Sequence, residues 1–304
     1  MGFARLFARL VLGLAAAAGF ADGRRHSHGA TNASLCPACF GVSDAPRNRS
    51  LSAMRWLHIP KSGSTFQNTV FHWACPGLPP RAGYGPRAMP YKLKALYVKG
   101  GRLDRDVCDR DLDKTIPGHA PAVADALERT VAMFRRPGQR IISAFNDGKH
   151  CDGFQDEDKD PGWKRLDVAA YARHRGIPGC ATRMLLGGKC SRSRRVRVVY
   201  EAASAVAALK KLAFVGLVER WRDSVCLFHA MHGGAPLPIE FAVAHSTRGR
   251  DVGDAPPPYD ETVLAGAVDA DEEAVYAAAR ATFDARMARH APACDLGHFF
   301  LGGS

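Results

Sequence analysis

Residues 55–69 read R-W-L-H-I-P-K-S-G-S-T-F-Q-N-T, and the fold of the chain turns on how that stretch is parsed. Arg55 to Ile59 is a short apolar run suited to a buried strand, and Pro60 ends it because a proline has no N–H for a sheet ladder. Lys61-Ser62-Gly63-Ser64-Thr65 then makes a tight polar loop, and Phe66 to Trp73 reads as the start of a helix. Strand, Gly/Ser loop and helix N-terminus together form an anion cradle. Successive N–H groups point into the loop, the helix dipole adds partial positive charge, and Lys61 adds a full one. The stretch is not the P-loop of a nucleoside triphosphatase, which carries its lysine after a second glycine and a hydroxyl for Mg²⁺ directly behind it. Here the lysine precedes the only glycine, and no G-K-[ST] occurs in the chain.

A second stretch repeats the grammar. Thr130 to Phe134 is an apolar strand, Arg135-Arg136 a polar turn, and Pro137 to Asn146 a helix with proline suitably placed in its first turn. Ile141, Ile142 and Phe145 give that helix its apolar face. Arg135 at the strand end and Ser143, two turns into the helix, are placed to converge on one anion: arginine offers a planar fork and serine a hydroxyl. Further strand–helix alternation follows. Val123 to Arg129 reads as a brief helix, Val168 to Arg175 as a helix and Gly176 to Ser193 as a Gly/Cys/Arg loop. Ala202 to Lys211 is a helix, Phe214 to Val218 a strand, and Glu219 to Met231 an amphipathic helix. Asp260 to His290 reads as helical with Val263, Leu264, Val275, Tyr276 and Phe283 on its core side. This alternation predicts an α/β fold with a central parallel sheet flanked by helices. In such sheets ligands sit at the carboxyl ends of strands, where both anion loops fall.

The ends of the chain carry other signals. Arg5 and Arg9 precede an apolar segment from Leu10 to Ala21, too short to span a bilayer comfortably when about 20 residues are needed. Residues 1–22 therefore read as a signal peptide or, if Arg9 snorkels, a signal-anchor. Residues 23–52 are a polar stem with acceptor tripeptides at Asn32 and Asn48, and residues 53–304 form the main domain. Nine cysteines are many for a cytosolic enzyme and plausible for a secretory one. Cys36 and Cys39 suit a stem disulfide, Cys226 in S-V-C-L-F-H-A reads as a buried free thiol, and Cys75, Cys108, Cys151, Cys180, Cys190 and Cys294 are disulfide candidates with open connectivity. The 42 Lys+Arg against 30 Asp+Glu, a formal +12, suit an anionic cofactor and an anionic polymer. The densest basic run is Arg192 to Arg197. No zinc finger, RRM aromatic set or long basic helix argues for nucleic acid.

With both loops quoted, the chain resembles the membrane-associated sulfotransferases of the Golgi, the group containing heparan sulfate 2-O- and 6-O-sulfotransferases and related algal and bacterial proteins. P-K-S-G-S-T-F resembles their 5′-phosphosulfate loop, and F-R-R-P-G-Q-R-I-I-S-A-F-N their 3′-phosphate segment. F-V-G-L-V-E-R and D-E-E-A-V-Y resemble later segments of the family, so the likeness spans about residues 54–290. Arg136 departs from the family's aspartate, which puts the local turn in question. The resemblance implies a P-loop-like sulfotransferase fold. It implies 3′-phosphoadenosine 5′-phosphosulfate (PAPS) as co-substrate without a metal, a polysaccharide or glycoprotein glycan as acceptor, and a Golgi-luminal (type II, membrane-anchored) or secreted protein. By the same likeness Lys61, Ser62, Gly63, Ser64, Thr65 and Phe66 hold the 5′ end, and Arg135 and Ser143 the 3′-phosphate. Thr247 and Arg248, with His245, touch the nucleotide from a late loop. His119, between the two loops, is the general base, with Asp125 and Glu128 as alternatives and His58 as a packing residue; Lys61 also stabilises the leaving group. Two other readings stand beside this one: a nucleotide-dependent P-loop kinase or transferase, and a non-catalytic glycan-binding protein of the same fold.

Overall fold

The computed structural model describes residues 54–75, 118–148, 166–174, 176–190, 199–241, 258–291 and 294. The leader and stem, the basic run at 192–197 and the loop bearing His245, Thr247 and Arg248 lie outside the described residues. Three parallel strands form the sheet among the described residues, in the order β1 (Arg55–Leu57), β2 (Thr130–Phe134), β3 (Phe214–Leu217). Trp56 pairs with Val131 and Ala132 with Val215, so the chain's second strand is central. All five residues of β2 and all four of β3 are buried. That is what a parallel strand covered on both faces requires, and why these runs are apolar without alternation.

The α-helices among the described residues are α1 (Gln67–Ala74), α2 (Pro137–Asn146), α3 (Val168–Arg173), α4 (Cys180–Leu185), α5 (Ala202–Lys210), α6 (Trp221–His232) and α7 (Ala270–His290). The fold is thus mixed α/β. An aromatic cluster joins the first loop to the sheet: Phe66 stacks on Phe214 at 5.5 Å and meets Trp221 and Phe228 edge-on. His232 lies among these rings, and burial pushes its pKa down to about 4, so it is neutral at pH 7. Helix α7 buries Val275, Ala279, Phe283 and Met287 as one stripe at i, i+4 spacing and packs on β3, α4, α5 and α6. Its N-cap is Asp269, whose side chain accepts from the Glu272 N–H.

Several expectations change. Residues 260–290 are not one helix. A 3₁₀ turn at Glu261–Leu264 stops at Ala265 and Gly266, both at positive φ, before α7 begins, and Val263 is 43% exposed, not in the core. The segment 176–193 is not all loop, since it contains α4. That helix is only six residues long and is held by Arg183, which donates to the carbonyls of Gly176, Pro178 and Cys190. Cys226 is not a free thiol: it is disulfide-bonded to Cys294, and Cys180 to Cys190. Burial suits a thiol and a disulfide equally, so apolar neighbours could not tell them apart. Disulfides are characteristic of secreted or luminal proteins. No helix among the described residues is long and apolar enough to cross a membrane.

Candidate functional site

Parallel strands put their carboxyl ends on one edge of the sheet, so the loops after β1 and β2 are neighbours by construction. After β1 the backbone turns sharply. The Ser62 N–H donates to the Ile59 carbonyl at 3.1 Å, Lys61 and Gly63 sit at φ +63° and +79°, and the Phe66 N–H donates to the Gly63 carbonyl at 3.0 Å. The loop donors at Ser62 and Phe66 are therefore used inside the turn. No hydrogen bond of the described structure takes up the N–H groups of Gly63, Ser64 and Thr65. These three remain to meet an anion, a narrower set than the sequence suggested. Phe66 contributes its ring to the core, and the buried Ser62 hydroxyl, which has no hydrogen-bond partner among the described residues, lines a cleft with Arg135, Arg140, Glu272 and Tyr276.

Gly63 answers two demands at once. Its φ is left-handed, and a Cβ there would come 3.0 Å from the Trp221 ring and 3.2 Å from Val218 Cγ2. Gly118, at φ +74°, has open space for a Cβ. Gly118→Ala is expected to cost about 1 kcal/mol, the backbone penalty alone, and Gly63→Ala about 3 kcal/mol, because overpacking against the indole adds to it. Denaturant unfolding of the two variants checks this; equal losses would show that the loop relaxes away from Trp221.

Lys61 is 14% exposed and its amine donates to Asp147 Oδ2 at 2.8 Å. Asp147 caps the end of α2 and is half exposed, so an arriving anion can share Lys61 with it or displace it. Arg135, at the end of β2, donates through Nη1 to the Lys61 carbonyl at 3.3 Å. Burial lowers the Arg135 pKa from its ordinary value, and Tyr259 and Glu219 act in the opposite direction. Ser143 is buried on α2, two turns from Arg135.

The turn after β2 is held from outside itself. The Arg136 N–H is capped at 2.8 Å by Glu219, which follows β3. Glu219 in turn accepts from the Tyr276 hydroxyl at 3.1 Å.

His119 joins the site through β1. Its Nδ1 lies 3.0 Å from the His58 carbonyl oxygen, and its ring stacks on His58 with centroids 4.1 Å apart. A carbonyl only accepts, so Nδ1 carries the proton and Nε2 the lone pair of the neutral ring. His58 is a packing residue, as expected: it is 7% exposed and lies 3.4 Å from Gln67 Nε2 through its own Nδ1. Asp125 and Glu128, the alternative bases, are exposed on the 3₁₀ turn that enters β2. They sit at the opposite end of that strand from Arg135, about 15 Å away at ordinary strand rise.

The geometry defines a mixed α/β protein in which the loops after two adjacent parallel strands meet at one edge of the sheet, with an imidazole beside them. Comparison of the chain with protein-family models, with curated proteins and with solved structures finds no match.

Proposed function

We propose that the chain is a sulfotransferase that moves the sulfuryl group of PAPS to a hydroxyl of a glycan, working in the Golgi lumen or after secretion. The observation that carries this reading is the conjunction at one sheet edge. Three N–H groups that no described residue engages and Lys61 follow β1, Arg135 follows β2 and contacts the Lys61 carbonyl, and His119 is fixed against the end of β1. In this reaction the acceptor oxygen bonds to sulfur while the bond from sulfur to the 5′-phosphate oxygen breaks. The acceptor proton passes to His119 Nε2. The charge left on the 5′-phosphate is met by Lys61 and the N–H groups of Gly63, Ser64 and Thr65. Arg135 and Ser143 anchor the 3′-phosphate. The Cys180–Cys190 and Cys226–Cys294 disulfides agree with a secretory compartment.

Calorimetric titration with adenosine 3′,5′-bisphosphate and with ATP tests the donor site. The bisphosphate is expected to bind more tightly. Arg135→Ala is expected to weaken it roughly 10- to 150-fold, the worth of charged hydrogen bonds to phosphate. Preference for ATP would favour a kinase-like transferase instead. Transfer of labelled sulfate across a panel of desulfated polysaccharides then identifies the acceptor.

A further inference from the structure

The geometry points to Tyr259 as a positioning residue for Arg135, held under the guanidinium by a clamp from Gln139. This rests on the sulfotransferase reading above, in which Arg135 grips the 3′-phosphate. An arginine grips a phosphate well only when the plane of its fork is set beforehand, because its long side chain otherwise loses rotamer freedom on binding. Arg135 is set from two sides. Nη1 donates to the Lys61 carbonyl at 3.3 Å, and the guanidinium carbon lies 5.4 Å from the centroid of the Tyr259 ring. That distance is within cation–π range.

Tyr259 stays there because its backbone is gripped by a side chain. Gln139 Nε2 donates to the Tyr259 carbonyl at 2.9 Å, and the Tyr259 N–H donates to Gln139 Oε1 at 2.6 Å. A primary amide thus pairs with both polar groups of one residue, as a neighbouring strand would. Gln139 is 3% exposed, and burying an amide is costly unless it is hydrogen-bonded. Its second N–H meets that need at Glu261 Oε1, 2.6 Å away. Gly138 completes the fit: a Cβ there would come 2.6 Å from Glu261 Oε2 and 3.1 Å from Leu264 Cδ1. The first turn of α2 is therefore shaped to receive residues 259–264, and the ring so delivered lands on Arg135. The clamp engages the backbone of Tyr259, so replacing the ring leaves the clamp's own hydrogen bonds in place.

Titration of the full chain with adenosine 3′,5′-bisphosphate and with adenosine 5′-monophosphate tests the inference, since only the first presents a 3′-phosphate to Arg135. The wild-type protein is expected to prefer the bisphosphate. Tyr259→Leu is expected to reduce that preference roughly three- to thirty-fold, the range spanned by cation–π contacts, with monophosphate affinity unchanged. Tyr259→Met, which fills similar volume without a π face, gives the same readout should leucine fail to fold. In an Arg135→Ala background neither substitution should alter the ratio. Equal losses for both nucleotides, or an unchanged ratio, would overturn the positioning role and leave Tyr259 as packing. A wild-type protein with no preference for the bisphosphate would instead remove the donor assignment itself.

Discussion

Alanine at His119 is expected to lower the turnover of sulfate transfer by roughly 10²- to 10⁴-fold, the usual worth of a positioned general base. Affinity for adenosine 3′,5′-bisphosphate should stay nearly unchanged. The separation follows from where the ring is held. His119 is tied to the residue just past β1 through the His58 carbonyl and the His58 ring, whereas the groups proposed to hold the nucleotide are the Lys61 loop, Arg135 after β2 and Ser143 on α2. Removing the imidazole deletes the Nε2 lone pair and leaves Lys61, the loop N–H groups and Arg135 in place. Single-turnover assays together with calorimetry check both halves. Activity within tenfold of wild type would mean that the proton goes elsewhere. Asp125 and Glu128 are poor heirs to that role because they lie at the entry end of β2.

The parts of this molecule that were readable from the sequence are those whose causes are local. The strands at Arg55, Thr130 and Phe214 are apolar runs closed by a proline, an arginine pair and a charged turn, and a buried parallel strand needs little else. The loop at Lys61–Thr65 was readable because a lone glycine between serines needs a reason, and a left-handed φ supplies it. What escaped depends on residues far apart in the chain. Glu219 caps Arg136 across 83 positions, and Asp147 meets Lys61 across 86. The Cys226–Cys294 bridge is likewise a fact of tertiary packing. One signal for the next pairing was present: Arg140 stands directly before Ile141 and Ile142 in a helix buried on most sides, a position where a cation needs a partner.

That partner is Glu272, and the second large effect expected is on stability. Arg140 and Glu272 are each 2% exposed, joined by Nε at 3.1 Å and Nη2 at 2.7 Å to one carboxylate oxygen. The other carboxylate oxygen accepts the Ala181 N–H, so the pair locks α2 to α7 and α4 beneath the cleft that holds Arg135. Replacing both charges with well-packed apolar residues is often neutral, but removing one strands the other in a medium that solvates it badly. Arg140→Leu is therefore expected to cost about 3–5 kcal/mol in denaturant unfolding, and Arg140→Leu with Glu272→Leu markedly less. The pH dependence provides a separate check. Burial already raises the Glu272 pKa above its ordinary value, and Arg140 is the principal group holding it down. Without Arg140 the folded-state pKa rises further above that of the unfolded chain, so the folded variant binds the proton more tightly than the unfolded one. Its stability is then greatest below the unfolded pKa and is lost as pH rises through the folded one. The deficit relative to wild type should accordingly shrink as pH is lowered from neutrality towards the ordinary carboxyl range. A deficit that stays constant over that range would mean that the lost stability is packing and not stranded charge.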